Sequence, residues 1–326
     1  MQKILIYGAS VTAQAADTGY FDKVKNSLES NNICHVSRIY YGGCHLDDAG
    51  FYKFEEAQTE FYDYIVFEWN TTGLIQYNEL KLCYLLQTIN AKGSKPIFMI
   101  LPQEANISKN RNAESQIIAL TKSYDIPLLD MRINLDLATF RSYVRDHVHT
   151  NENGADFYSL KMVKFFSEIV ESPKKYWNRF NQLSIDDLSF LSAKVKPFDI
   201  ELKSNQILKF IIKSKSSTFS EILIRQRIGP FSPIVLIEDG ISSKKISLWD
   251  IYCHYERDHY LTLVADQEFK NSFLRTPLEF VVSVLEDKPK YELCRRDDVD
   301  FDIPKLVKLK EIYSIGVDFD IEIYNT

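Results

Sequence analysis

The sequence has no excess of positive charge: 39 Lys and Arg stand against 45 Asp and Glu, for a net charge of −6. A nucleic-acid partner would lack its usual electrostatic footprint. It also lacks any apolar run approaching a membrane span, and only Lys3 stands before the first four apolar residues, far short of a signal-peptide core. There is no CxxC pair. The five cysteines, Cys34, Cys44, Cys83, Cys253 and Cys294, are odd in number and widely spaced. They suggest neither a disulfide framework nor a zinc ribbon, and a reduced, cytoplasmic setting is expected. Internal repeats and low-complexity segments are missing as well.

What is present is an ordinary globular composition, 45% hydrophobic and 26% charged, over 326 residues. That length suffices for two domains, or for one large domain with an extension. The first half alternates two patterns. Residues 4–7, 33–41, 64–69, 96–101 and 126–131 are short β-favouring runs, whereas 20–30, 51–61, 78–91, 112–124 and 154–170 carry helical spacing. In residues 78–91, for example, Leu82, Leu85, Leu86 and Ile89 share one face. Parallel neighbours need crossover connections, so this alternation predicts a three-layer α/β/α domain with a parallel five-stranded sheet over residues 1–172.

From Glu171-Ser172-Pro173 onward the texture changes. Residues 173–192 read as a linker. Short β-favouring runs follow at 207–212, 221–225, 234–237, 260–264, 278–285 and 318–324, with Gly229-Pro230, Asp239-Gly240 and Pro289 between them. Residues 193–326 are therefore expected to form a mainly-β, sandwich-like accessory domain, serving recognition or oligomerisation. Within it His254 and His259 lie among Tyr252, Tyr255 and Tyr260, a pattern that fits either a sugar-stacking surface or an aromatic cluster in a core or interface.

The first strand stops at Gly8-Ala9-Ser10. Alone, that tripeptide fits a plain loop, a phosphate-binding turn or a nucleophile. In a parallel sheet, however, the loops after the strands all emerge at one edge. Ser10, the Gly42-Gly43 turn and Asn70 would then be neighbours, and the loop before the last helix could bring Asp146 and His149 to the same edge. These residue types suit acyl transfer: a hydroxyl, a base to take its proton, a carboxylate to orient that base, and fixed donors for an oxyanion. His147 and His149 with Asp146 lack a third ligand in register, so no metal is expected.

In this order, Gly8-Ala9-Ser10, Gly42-Gly43, Asn70 and Asp146-His147-Val148-His149 resemble the four blocks of the SGNH hydrolase superfamily, the GDSL-like esterases and lipases. Asp146-x-x-His149 followed by Thr150-Asn151-Glu152-Asn153-Gly154 is similar to the family's final block and helix entry. The resemblance covers residues 1–170. It implies a flavodoxin-like sheet, Ser10 as nucleophile, His149 as base and Asp146 as its orienting partner. It further implies an oxyanion hole made of the Ser10 N–H, the Gly43 N–H (Gly42 being the other choice) and the Asn70 amide.

There are departures: Ala9 stands where the name-giving pattern has Asp, Glu68 where a glycine often precedes the asparagine by two, and Thr71 where Asp usually follows it. These alter the pocket wall. His45, Glu68 and Trp69 are candidate substrate contacts. The resemblance implies a serine-dependent O-acyl, foremost O-acetyl, ester hydrolase acting on a carbohydrate or glycan without a cofactor. The same acyl-enzyme resolved by a sugar hydroxyl would make a cytoplasmic polysaccharide O-acetyltransferase with acetyl-CoA as donor. A glycan-binding protein on a degenerate hydrolase fold is a third reading, against which the complete set of Ser10, Asn70, Asp146 and His149 argues.

Overall fold

A computed structural model of the chain describes all residues except 73–75, 181–192, 205, 215–220, 239, 241, 263–277, 297, 316–318 and 326. The chain divides into two compact units, Met1–Leu188 and Ser189–Thr326. Among the described residues, no helix is long and apolar enough to cross a membrane.

In the first unit, β1 (Gln2–Gly8), β2 (Cys34–Tyr40), β3 (Tyr64–Glu68), β4 (Lys95–Ile100) and β5 (Leu128–Asp130) form one parallel sheet in the order β2-β1-β3-β4-β5. That is the flavodoxin-like order, with its switch point beside β1. Strands β1, β3 and β4 carry apolar residues on both faces. Ile4, Leu5, Ile6, Ile65, Val66, Ile97 and Phe98 are all fully buried, because helices cover the sheet on either side. At the edge, β2 alternates instead, with buried Cys34 and Val36 around exposed His35.

The helices follow local signals. The first, α1 (Phe21–Ser30), buries Phe21, Val24 and Leu28; α2 (Phe54–Ala57) is one turn; and α3 (Glu79–Ala91) begins at Asn78, whose side chain accepts the Lys81 N–H at 3.2 Å. Next, α4 (Asn112–Tyr124) ends at Asp125, with φ 53°. Asp136 caps α5 (Leu137–Tyr143), accepting the Thr139 N–H at 2.7 Å, and Asn151 caps α6 (Glu152–Glu171), accepting the Gly154 N–H at 3.0 Å. The spacing in residues 51–61 predicts a short helix, and the single turn of α2 forms within that stretch, after a π-turn at Leu46–Gly50. Helix α5 shows no apolar periodicity because it buries a single residue, Phe140.

The segment after α6 is docked rather than extended. Trp177 donates its Nε1–H to the Pro96 carbonyl at 2.8 Å and its backbone N–H to the Asp125 carbonyl at 2.7 Å, and its ring stacks on Tyr64 with centroids 5.4 Å apart. Residues 181–192, the rest of the expected linker, lie outside the described residues.

The second unit is a sandwich of two antiparallel sheets. One has the order β10-β9-β12-β7-β14 and the other β11-β8-β13-β6. Their strands are β6 (Ala193–Lys203), β7 (Ile207–Ser214), β8 (Glu221–Ile228), β9 (Ile234–Glu238), β10 (Ser243–Ser247), β11 (Arg257–Thr262), β12 (Leu278–Val284), β13 (Leu306–Ile315) and β14 (Phe319–Asn325). Leu208, Phe210, Val235, Ile237, Phe280 and Val282 of one sheet share a core with Leu202, Ile222, Ile224, Val307, Leu309 and Ile312 of the other.

Three strands, β6, β10 and β13, carry no apolar run in the sequence. Both β6 and β10 are edge strands rich in lysine, and Pro197 of β6 sits opposite Glu311 where the register shifts, a position where proline removes no ladder bond that must be kept. The tyrosine and histidine cluster is divided. Tyr260 is buried beside Tyr313, whereas Tyr255 is exposed, with the His254 ring against it at 4.9 Å.

Candidate active site

Ser10 leaves the sheet immediately after β1, between the ends of β2 and β3. The turns carrying Gly43 and Asn70 therefore flank it on either side. The Tyr41 N–H donates to the Gly8 carbonyl at 3.0 Å and the Ala9 N–H to the Glu68 carbonyl at 3.0 Å, extending both pairings past the strand ends. Gly43 has φ 72°, the left-handed region. Among the described residues, neither the Ser10 nor the Gly43 backbone N–H donates to a protein acceptor.

His149 comes from the loop between α5 and α6. Its ring Nε2 lies 3.0 Å from Ser10 Oγ and its Nδ1 2.9 Å from Asp146 Oδ2, while Asp146 Oδ1 accepts the Val148 and His149 N–H groups at 2.9 and 2.8 Å. Burial pushes the Asp146 carboxyl up, but those N–H bonds and the His149 ring outweigh it and bring it down to about 2. An ionised Asp146 only accepts, so Nδ1 carries the ring proton and Nε2 accepts from the Ser10 hydroxyl. The structure thus brings Ser10, His149 and Asp146 into one hydrogen-bonded series. His147 is exposed and takes no part in it.

Gln14 and Thr150 set the register between the serine and the histidine. Gln14 Nε2 donates to the Thr150 carbonyl at 3.0 Å, and Gln14 Oε1 accepts from the Thr150 N–H at 3.2 Å and its hydroxyl at 3.1 Å. Arg38 steadies the same turn, donating to the Thr12 and Gln14 carbonyls at 2.8 and 3.1 Å. Sequence reading did not single out Gln14, and Thr150 enters it only as the first residue of the block that follows His149; nothing in the chain marks the two as partners, 136 residues apart.

Asn70 opens the 3-10 turn Asn70–Thr72 and is 1% exposed. Its side chain pairs reciprocally with Leu101, donating Nδ2–H to the carbonyl at 2.9 Å and accepting the N–H at 3.0 Å, and its own carbonyl accepts from Gln103 Nε2 and Arg111 Nη2 at 2.5 and 2.7 Å. One Nδ2 hydrogen is left over. The three candidate substrate contacts divide. His45 is half-buried with Nδ1 2.9 Å from Thr72 Oγ1, and burial pushes its ring pKa down. Glu68 and Trp69 are corrected by their surroundings, being 0% and 1% exposed. Neither lines a surface that a solute reaches. Trp69 packs between Tyr7 and Tyr41, with ring centroids at 5.2 and 6.4 Å, and Glu68 bonds to the serine turn from within.

The first unit has the SGNH hydrolase fold, and the chain as a whole pairs it with a C-terminal β domain. Among solved structures, it is similar to a two-domain esterase, CEX, active on acetylated mannans, with a TM-score of 0.62 and 12% identity over 96% of this chain and 91% of the other. The same esterase co-crystallised with mannopentaose gives a TM-score of 0.63 and 12% identity over 96% and 90%. At that identity the likeness is one of fold. The sequence matches no family model and no curated protein.

Proposed function

We propose that this protein is a serine-dependent O-acetyl ester hydrolase acting on an acetylated carbohydrate. The observation that carries the reading is the series Ser10 Oγ to His149 Nε2 at 3.0 Å and His149 Nδ1 to Asp146 Oδ2 at 2.9 Å. Ser10 Oγ attacks the ester carbonyl carbon as its proton passes to His149 Nε2, and Asp146 stabilises the imidazolium formed. The Ser10 N–H, the Gly43 N–H and the remaining Asn70 Nδ2 hydrogen receive the oxyanion. Loss of one such donor typically costs about 2.7–4 kcal/mol in the transition state. The tetrahedral intermediate collapses, the sugar oxygen leaves with the proton from His149, and water activated by His149 then releases acetate from Ser10.

The carbohydrate part of the reading is supported by the fold likeness over both units to an esterase active on acetylated mannans. The deciding experiment measures acetate release from acetylated mannan and xylan oligosaccharides by the full chain, beside acetyl-CoA-dependent transfer to the deacetylated oligosaccharides. Acetate release that Ser10→Ala abolishes is the expected result. Transfer from acetyl-CoA without hydrolysis would replace the esterase by an O-acetyltransferase using the same serine. Activity undiminished in Ser10→Ala would overturn the assignment of the nucleophile. Failure of a fluorophosphonate to label the folded protein would leave a glycan-binding protein.

A further inference from the structure

Strand β3 ends in a carboxylate that touches both sides of the candidate site from beneath. Glu68 pairs with Gly8 across the β1–β3 ladder and has no exposed surface. Its Oε2 accepts from the Thr12 hydroxyl at 2.7 Å and the Ala9 N–H at 3.3 Å, and its Oε1 accepts from the Thr71 hydroxyl at 2.8 Å. Ala9 precedes Ser10 and Thr71 follows Asn70. One side chain thus holds the residue next to the nucleophile and the residue next to an oxyanion donor. The space for it is kept by Gly8: a Cβ there would lie 2.5 Å from Thr12 Oγ1 and 2.9 Å from Glu68 Oε2.

A carboxyl buried for packing alone is a poor solution. Among the described residues no basic side chain pairs with Glu68, and an unpaired buried carboxylate is costly. An apolar residue would fill the volume without that cost. What only a carboxylate offers here is two acceptor oxygens on one rigid plane, one for each turn. Glutamine offers a single acceptor oxygen, so one of the two turns loses its acceptor and its threonine hydroxyl must turn round to accept an N–H instead.

We propose that Glu68 is a positioning residue: by bonding both turns it sets the spacing between the Ser10 N–H and the Asn70 Nδ2–H, so that both meet the same oxyanion. The inference rests on the esterase reading of the site. Glu68 touches no substrate. It acts through Ala9, Thr12 and Thr71, so its loss raises the barrier without changing what binds. Displacement of a reacting group by an ångström costs about 10²-fold in rate, and partial loosening costs less.

The test uses the full chain and hydrolysis of 4-nitrophenyl acetate, with Ser10→Ala as the control. Glu68→Gln is expected to lower kcat about tenfold with KM within about twofold of the wild type. Thr71→Val should show a smaller loss of the same kind, which Thr71→Ser, keeping the hydroxyl, restores. Because all act through one carboxylate, the double variant Glu68→Gln/Thr71→Val should be no slower than Glu68→Gln. Where Glu68→Gln does not fold, the Thr12→Val and Thr71→Val losses carry the test: two hydroxyls on separate turns should couple non-additively through Glu68. Wild-type kcat in Glu68→Gln, or strictly multiplicative losses in the double variants, would overturn the inference. A wild type no faster than Ser10→Ala would instead sink the esterase reading and would be distinguishable by that control.

Discussion

Asp146 holds His149 twice, accepting its backbone N–H at 2.8 Å and its ring Nδ1 proton at 2.9 Å. The same carboxylate thus fixes the backbone and the tautomer of the residue that faces Ser10. Asp146→Asn keeps the shape but removes the acceptor that dictates the tautomer, so kcat for an aryl acetate should fall by about 10⁴ while KM changes little. A loss under tenfold would remove Asp146 from the orienting role. The carboxyl is held at about 2, below its ordinary 3.8. Its contribution to stability is therefore complete above the unfolded value and lost as pH falls through about 2. The stability gap between wild type and Asp146→Asn should close over that interval.

Gly154 sits in the first turn of α6, five residues after His149. A Cβ there would lie 2.0 Å from the Tyr143 carbonyl oxygen and 3.0 Å from Thr150 Cγ2. That carbonyl also accepts the Asn151 N–H at 2.9 Å, closing the loop that carries Asp146 and His149. Gly154→Ala must push this closure apart. Activity should fall at least about tenfold, since displacement by about an ångström is enough to misplace a base, and fluorophosphonate labelling of Ser10 should slow in parallel. An alanine variant with wild-type labelling kinetics would mean that α6 absorbs the shift without moving His149.

Sequence pattern carried the parallel sheet because β1, β3 and β4 are apolar on both faces, a signal that survives without tertiary context. It also placed Ser10, Asp146 and His149, because each stands directly at a strand end or helix entry. It did not find β6 or β13, whose lysines alternate with the few residues that enter the core and leave no apolar run. Nor did it find Gln14. A glutamine becomes informative only when the fold sets Thr150 against it, 136 residues away. Glu68 was singled out for the wrong surface: its place beside the asparagine is visible in the chain, but whether a β3 side chain faces solvent or the serine turn is decided by the sheet's covering helices.

Trp177 anchors the end of the first unit against Tyr64 and the Pro96 carbonyl, and it does so with φ 61° and 3% exposure. Few residues other than glycine adopt that backbone, so the strain must be outweighed by the buried indole. Trp177→Ala keeps the strain and deletes the packing. Urea unfolding of the full chain, followed in the transition of the first unit, should show a loss of about 3–5 kcal/mol. A change below about 1 kcal/mol would show that the segment after α6 rests on the sheet without holding it.

Glu68 also makes the first unit's stability depend on pH in a direction opposite to that of Asp146. Burial pushes its carboxyl up to about 7 from an ordinary 4.5, and hydrogen bonds from Thr12, Thr71 and Ala9 only partly oppose this. The other titratable groups it faces are Tyr20 beside α1, Tyr77 before α3 and Tyr158 on α6. All three phenols are raised by burial and by the negative charges around them, Glu68 among these, so they stay protonated near neutrality. Arg38 on β2 partly opposes the rise at Tyr20. Between about pH 4.5 and 7 the folded state therefore binds more protons at Glu68 than the unfolded chain, and folding stability falls as pH rises through that window, levelling above it. Glu68→Gln removes the titration. Urea midpoints at pH 5 and pH 8 should show the variant gaining on the wild type at the higher pH, even as its turnover stays lower. A pH-independent difference between the two proteins would mean that Glu68 ionises at its ordinary value, with solvent reaching a carboxyl that the fold encloses.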